Sequence, residues 1–473
     1  MQRKILICIT VVNIACGLVQ ETTAASPTKP VGQPNIVFVL FDDMGWGQPP
    51  CYNPQSALRT PNLDKLASQG MRFQDAHSAS AVCTPTRYGV LTGRYPSRIA
   101  QFGVLTTYSP PLIPPSRTTV ASLLKQHGYA TACIGKWHLG LNWVDGTPGS
   151  EAKLPIGARM TGGPNAIGFD YFCGFTHARN IGSIIEQDRV VAHVEAVENQ
   201  PLMINKTLEW IGQRKPGEPF FLYFPMCPPH TPIAPSSDFV GKSGATDVVR
   251  NDPMYGDWIY QGDAMLGQIM DALDRLNFAD NTLLIATGDN GAADRAYAPL
   301  RESKSSIYEG GHRVPFVARW PGRVKAGSTW NHTVCLNDLL ATAAEIVGTQ
   351  LPPAAGEDSV SLLPALLGTS DAPTREATVH QSARGDLAIR QGAWKLIFHT
   401  SGQRELFQLV EDLSETKDVL VANSDVATRL TALMQSYIDS GRSTPGTAQK
   451  IDGKLSLPGE KPATSSQKRR ISE

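Results

Sequence analysis

The sequence predicts an α/β fold: a large mixed, mostly parallel sheet flanked by helices, then a small C-terminal antiparallel sheet with one helix. Three observations lead there. Short apolar or aromatic runs, "NIVFVLF", "ATACIG", "PFFLYFPM" and "NTLLIAT", alternate with helix-like stretches, which is the rhythm of strands joined by helical crossovers. After about Ser370 the pattern shifts to "VHQSA", "DLAIRQGAWKLIFH" and "RELFQLVED", followed by the amphipathic "DVATRLTALMQSYI". At 473 residues the chain is long enough for one large domain and a smaller one.

Helix boundaries follow from local punctuation. "TPNLDKLASQG" opens on Thr60 and Pro61 and closes on Gly70, while "TTVASLLKQHG" closes on Gly128. The Pro/Gly-rich "GTQLPPAAGEDS" reads as a link region, placing a main domain over residues 34–370 and an α+β subdomain over 371–442. Residues 443–473, ending "SSQKRRISE", read as a polar, disordered tail.

The N-terminus has a basic start, an apolar run and small residues near Ala24 and Ala25, the pattern of an export signal over residues 1–25. A lipoprotein signal at Cys16 fits less well, because Asn-Ile-Ala precedes it. The mature protein is therefore expected to be exported, periplasmic or secreted, with no integral membrane association. Its 43 basic and 43 acidic residues balance, so nothing global attracts nucleic acid, and any attraction for an anion must be local. Beyond the signal, six irregularly spaced cysteines match neither a zinc motif nor a dense disulfide framework.

The informative residues stand where the strands end. "NIVFVLF" runs into Asp42 and Asp43, "ATACIG" into Lys136 and His138, "PFFLYFPM" into His230, and "NTLLIAT" into Asp289 and Asn290. In an open parallel sheet the carboxyl ends share one edge, where ligands bind. Three carboxylates and an amide supply hard oxygen ligands for calcium or magnesium. In "GKWHLG", period-two spacing places Lys136 and His138 on one face of an extended segment and Trp137 and Leu139 on the other. Lys304 and Arg87 add positive charge.

Cys83, in "AVCTPTRYGVLTGR", stands at the start of a short helix with Arg87 four residues on. A buried thiol is the commoner fate of a free Cys, whereas a helix N-terminus beside an Arg favours an anion or a thiolate. No Cys-His-Asn arrangement is evident, and a soft thiolate pairs poorly with an oxygen-ligated cation. Residue chemistry alone leaves the role of this Cys open.

The sequence resembles the formylglycine-dependent sulfatases of the alkaline-phosphatase-like superfamily. "CTPTRYGVLTGR" fits that family's Cys-x-Pro-x-Arg signature. "NIVFVLFDDMGWG", "GKWHLG", "PPH", "GDNG" and "KSSIYEGGHRVP" stand in family order around it. The resemblance implies that a maturation enzyme oxidises Cys83 to formylglycine, whose hydrate is a hard oxygen nucleophile. It further implies that Asp42, Asp43, Asp289 and Asn290, with residue 83, hold one divalent cation, calcium ahead of magnesium. His230 and Lys304 would protonate the leaving oxygen, Lys136 would contact sulfate and Arg87 would steady the cluster. His138 would take the proton that allows sulfate release. The substrate expected is an O-sulfate ester of a carbohydrate. The alternatives are a phosphonate monoester or phosphodiester hydrolase, or a non-catalytic sulfated-glycan binder. Many relatives carry a sulfate-contacting Ser after Gly-Phe-Asp, but "GFDYFCGFTHARN" offers none that aligns. His177, Arg179 and Asn180 are the candidate substrate contacts there. "GDNGAADR" also departs from the commoner Ser-Asp-Asn-Gly while keeping both proposed ligands.

Overall fold

Asn35–Asp42 is buried at every position, as expected of a strand covered on both faces. It pairs in parallel with Phe220–Pro229 on one side and Thr282–Gly288 on the other. Ala130–Lys136 and then Tyr171–Phe175 continue the parallel run. In this computed structural model, which describes residues 33–144, 154–245, 252–453 and 455–457, these five strands form the centre of a ten-stranded mixed sheet. The export signal expected over residues 1–25 lies outside the described residues.

Helices cover both faces. Val37, Val39 and Phe41 share a core with Leu63 and Leu66 of the Pro61–Gln69 helix, Met203 of Ala196–Gly212 and Trp258 of Tyr255–Arg275. By alternation, the equally buried Ile36, Phe38 and Leu40 face the other way. A second group of helices, Cys83–Thr92, Val120–Gln126 and Leu339–Ile346, packs together. The two helices read from sequence end as expected, at Gly70 and just before Gly128, whose φ of 84° is left-handed.

The C-terminal sheet has four antiparallel strands, Thr378–Gln381, Leu387–Gln391, Trp394–Phe398 and Arg404–Gln408. The Ser424–Ser440 helix buries Leu430, Met434, Tyr437 and Ile438 in the same core as Leu387, Ile389 and Leu396. A bridge between Ser80 and Gln381 joins this sheet to the segment just before Cys83.

The link and the described part of the tail are both held by specific contacts, which corrects only the disorder expected of the tail. The Pro/Gly-rich link is tied down: buried Asp358 receives Arg98 Nε and Nη2 at 2.7 and 2.6 Å, and Glu357 receives Arg117 Nη1 at 2.7 Å. The tail from Ser443 is also held over its described part. Gln449 N donates to Ser440 O at 2.7 Å, Asp452 pairs with Arg94 at 2.8 Å, and Leu457 is buried. Polar composition misleads for the tail because Arg94 of another segment receives Asp452; residues 454 and 458–473 lie outside the described residues.

Candidate active site

Asp42 closes the central strand and Asp43 turns off it with a left-handed φ of 72°. His138 (φ 55°) and Ser305 (φ 79°), on two other loops of the site, share that region. Side chains other than Gly pay conformational strain there, and such strain concentrates at functional sites. His138 therefore does not continue an extended segment as its spacing suggested: the strand stops at Lys136. Both residues nonetheless line one cavity, while Trp137 is buried with its indole donating to Gly140 O at 2.9 Å.

Cys83 begins its helix with Val82 as N-cap, so no side chain caps it, and Pro85 in the first turn removes one of the orphan N–H donors. The helix is buried throughout. One turn on, Arg87 Nη2 lies 2.7 Å from Asp289 Oδ2 and 3.3 Å from Asp42 Oδ1, and its Nη1 donates to Lys136 O at 3.1 Å. One guanidinium thus links the ends of three strands.

The loops close around this cluster by near contact of glycines. A Cβ on Gly291 would stand 1.8 Å from Gly310 O, so the "GDNG" turn and the "EGGH" segment meet only as Gly. Lys304 N donates to Ala292 O and Ser305 N to Ala81 O, both at 2.9 Å. Lys304 is thereby wedged between the Asp289 loop and the residues preceding Cys83.

Distances confirm the convergence. Cys83 Sγ is 3.3 Å from Asp42 Oδ1, 3.8 Å from Asp43 Oδ1 and 3.6 Å from Lys304 Nζ. Lys136 Nζ donates to Asp42 Oδ2 and Lys304 Nζ to Asp43 Oδ1, each at 2.5 Å. Asp43 N donates to Asp289 Oδ1 at 2.9 Å, Asn290 Nδ2 reaches Asp43 Oδ1 at 2.9 Å, and His230 Nε2 lies 3.8 Å from Asp43 Oδ2. The ligand atoms offered by Asp42, Asp43, Cys83 and His230 all fall within 4.8 Å of one another. Asn290 Oδ1 is buried with no partner, and such an orphaned oxygen is a vacant ligand for a hard cation.

Electrostatics separates the groups by role. Burial alone would raise the Asp42 carboxyl, but Lys136, His230, Arg87 and Lys304 hold it well below the usual range. Asp289 goes the other way, pushed to about 7 by burial and by the Asp42 charge; crowded carboxylates of this kind invite a cation. Burial and Asp42 also push the Cys83 thiol well up, which removes the thiolate that its helix N-terminus and Arg87 had suggested. His138 is held neutral by burial and by Lys136 and Arg87. Its Nε2 lies 3.0 Å from Leu105 O and its Nδ1 is buried without a partner. Donation from Nε2 to that carbonyl leaves Nδ1 as a lone-pair acceptor.

Cys83, Lys136, His138, His230 and Lys304 border a cavity of about 390 Å³ whose lining also includes Val82, His177, Arg179 and the loop Gly103–Thr106. His177 is fixed, with Nε2 2.8 Å from Thr107 Oγ1 and Nδ1 accepting from Arg179 N at 3.1 Å. Exposed Arg179 borders the cavity. Asn180 does not: it is buried and donates to Thr107 Oγ1 at 2.5 Å, which makes it a support for the wall. The 103–106 loop escaped sequence reading because it carries no charged or motif residue.

A second ionisable cluster also escaped it. His77 Nδ1 lies 3.0 Å from His312 Nδ1, and His77 Nε2 lies 2.8 Å from Asp75 Oδ1. Lys395 Nζ lies 3.1 Å from Glu309 Oε1, 2.7 Å from Glu415 Oε1 and 3.1 Å from His312 Nε2. The His312 and His380 rings stack at 4.0 Å and 9°, so a single ion cannot lie in both ring planes. The cluster is a buried cross-link between the "EGGH" segment and the C-terminal sheet. Burial depresses the pKa of His77, His312 and His380 below the ordinary 6.5. The unfolded chain then binds protons that the folded chain refuses, so stability falls as pH drops through 6.5. Urea midpoints measured between pH 7.5 and pH 5 (on the order of one unfolded-state imidazole titration,) are expected to decline over that window, ahead of the carboxylate-driven loss at lower pH.

The described residues match known proteins in sequence and fold. The Sulfatase family profile matches residues 34–349. The chain belongs to the sulfatase family. An N-acetylgalactosamine-6-O-sulfatase of Bacteroides thetaiotaomicron is 31% identical, over 85% of this chain and 93% of that one. Human arylsulfatase A is 32% identical, over 78% of this chain and 75% of that one. A solved structure from work on glycosaminoglycan metabolism in Bacteroides thetaiotaomicron superimposes with a TM-score of 0.77 at 30% identity, covering 86% of this sulfatase and 99% of that chain. The fold class expected from the sequence holds, and this sulfatase is a sulfuric ester hydrolase. No helix among its described residues is long and apolar enough to cross a membrane.

Proposed function

We propose that this sulfatase cleaves an O-sulfate ester of a carbohydrate, using the hydrated aldehyde made from Cys83 as nucleophile and one divalent cation, calcium ahead of magnesium. The observation that carries the reading is the setting of Cys83. Its sulfur lies 3.3 Å from a carboxylate oxygen in a ring of oxygen ligands, where burial keeps a thiol protonated. A thiol is a poor nucleophile in that state, whereas a geminal diol offers hard oxygens suited to the same neighbours. The names of the relatives, an N-acetylgalactosamine-6-O-sulfatase among them, support a sugar substrate.

Asp42, Asp43, Asp289 and Asn290, with the oxygen at position 83, would hold the cation. It would supply positive charge toward the sulfuryl oxygens. Lys136 and Lys304, both kept protonated by neighbouring carboxylates despite burial, add fixed positive charge on the cavity wall. Arg87 aligns Asp42 with Asp289 beneath them. One hydroxyl at position 83 would pass its proton to the adjoining carboxylate ring, whose Asp42 Oδ1 lies 3.3 Å from the residue-83 sulfur. Its oxygen would bond to the sulfate sulfur as the bond from sulfur to the sugar oxygen breaks and Lys304 or His230 on the same wall protonates that departing oxygen. His138 Nδ1 then accepts the proton of the second hydroxyl, so that sulfate leaves and the carbonyl re-forms. In this scheme water never attacks sulfur. Periplasmic or secreted export, with maturation by a formylglycine-generating enzyme, completes the reading; the signal-like start of the sequence and its Cys-x-Pro-x-Arg stretch support it.

Parallel assays with sulfate, phosphonate and phosphodiester esters of one alcohol test the choice of substrate. Matured enzyme is expected to have its highest kcat/KM on the sulfate ester; faster turnover of either phosphorus ester would overturn the assignment.

A further inference from the structure

Next to the catalytic cavity lies a second one of about 290 Å³, and the two share Lys304 and Ser305 as a common wall. The hairpin loop between Thr378–Gln381 and Leu387–Gln391 borders both, Ala383 the first and Arg384 the second. This loop is well fixed. Ala383 N donates to Ser305 O at 3.1 Å, Ser382 N to Asp386 O at 2.9 Å, and Ser382 Oγ to Asp386 Oδ2 at 2.9 Å.

Most charged groups of the second cavity are already engaged. Asp386 Oδ1 accepts from Thr400 N at 2.9 Å, and His399 Nε2 lies 2.7 Å from Glu405 Oε2. Lys304 is bound to Asp43. Arg384 differs: its backbone is pinned by Ser382 Oγ at 3.2 Å, yet its exposed guanidinium has no hydrogen bond or ion pair among the described residues. The exposed Glu302 carboxylate, also in this wall, makes no ion pair with it.

We propose that the second cavity receives the sugar adjoining the sulfated one, and that Arg384 binds an anionic group on that neighbour, a carboxylate or a second sulfate. The geometry follows the leaving group. Lys304, one of the two groups placed to protonate the departing oxygen, stands on the shared wall, so the sugar that bears this oxygen directs its neighbour toward the second cavity. An unpaired guanidinium on a rigid loop suits bidentate capture of a planar carboxylate or of sulfate oxygens, and Glu302 is placed to accept sugar hydroxyls. The preferred substrate is therefore an oligosaccharide with anions on adjacent residues. This inference rests on the carbohydrate reading above.

The test uses matured enzyme with 4-nitrophenyl sulfate and three disaccharides that share one sulfated sugar. The neighbouring sugar carries a carboxylate, a sulfate, or neither. Wild type is expected to favour one of the two charged disaccharides over the neutral one, which identifies the anion. Arg384→Gln is expected to lower kcat/KM on that disaccharide about tenfold, as loss of a charge-assisted hydrogen bond does. The neutral disaccharide and the aryl ester should be unaffected, and Arg384→Lys should recover part of the loss. Equal turnover of all three disaccharides by wild type, or an equal loss on all four substrates in Arg384→Gln, would overturn the subsite. Enzyme that cleaves the aryl ester but none of the disaccharides would overturn the carbohydrate reading itself, and the subsite with it.

Discussion

Cys83→Ser is expected to lose multiple turnover, with kcat falling by roughly four orders of magnitude or more, as for removal of a nucleophile that acts as part of a unit. Serine keeps an oxygen at the start of the Cys83–Thr92 helix, beside Asp42 and Lys304. It carries only one hydroxyl. Once sulfated, it leaves His138 Nδ1 no second hydroxyl from which to draw a proton, and the sulfate stays on the protein. Steady-state sulfate release and the mass of the residue-83 peptide after exposure to substrate together check this. Normal multiple turnover by the serine variant would contradict the scheme.

The largest effect on stability is expected at Lys395. Its ammonium is fully buried and sits between Glu309 and Glu415 at 3.1 and 2.7 Å. Lys395→Met retains much of the side-chain volume but strands buried carboxylates, at a cost of about 3–5 kcal/mol. Arg313 and Arg390 still reach Glu309 at 3.3 and 3.5 Å, so Glu415 bears most of the loss. Its pKa is raised by burial, which prepares it to take up a proton. Adding Glu415→Gln should therefore restore part of the stability, a coupling measurable by a double-mutant cycle in urea. An unchanged midpoint in Lys395→Met would show that the cross-link contributes nothing.

The central sheet was legible because both faces of Asn35–Asp42 and its neighbours are covered, which turns each strand into a near-continuous apolar run. The cation-rich edge was legible for a related reason: parallel strands deliver their last residues to one place, however far apart in sequence. Where the reading failed, tertiary context had overruled local pattern. His138 follows a strand whose period-two spacing predicts an extended chain, yet Thr84 Oγ1 captures its carbonyl at 3.0 Å and its own N donates to Thr176 O at 2.7 Å, holding it left-handed. Asn180 looked like a substrate contact from its place in "THARN", but Thr107 takes its amide. The His77, His312 and His380 cluster draws one residue from each of three distant segments, so no spacing announces it. Arg384 was invisible in the same way, since only the fold of the C-terminal hairpin brings it beside Lys304.

The central claim is that residue 83 works as an aldehyde. It is tested most directly by the mass of the peptide spanning Ala81 to Arg94, taken from active enzyme coexpressed with a formylglycine-generating maturase. The scheme predicts the lighter aldehyde residue at position 83, in a fraction that rises in proportion to specific activity across preparations. Full activity from a preparation whose peptide carries only the unmodified thiol would contradict it.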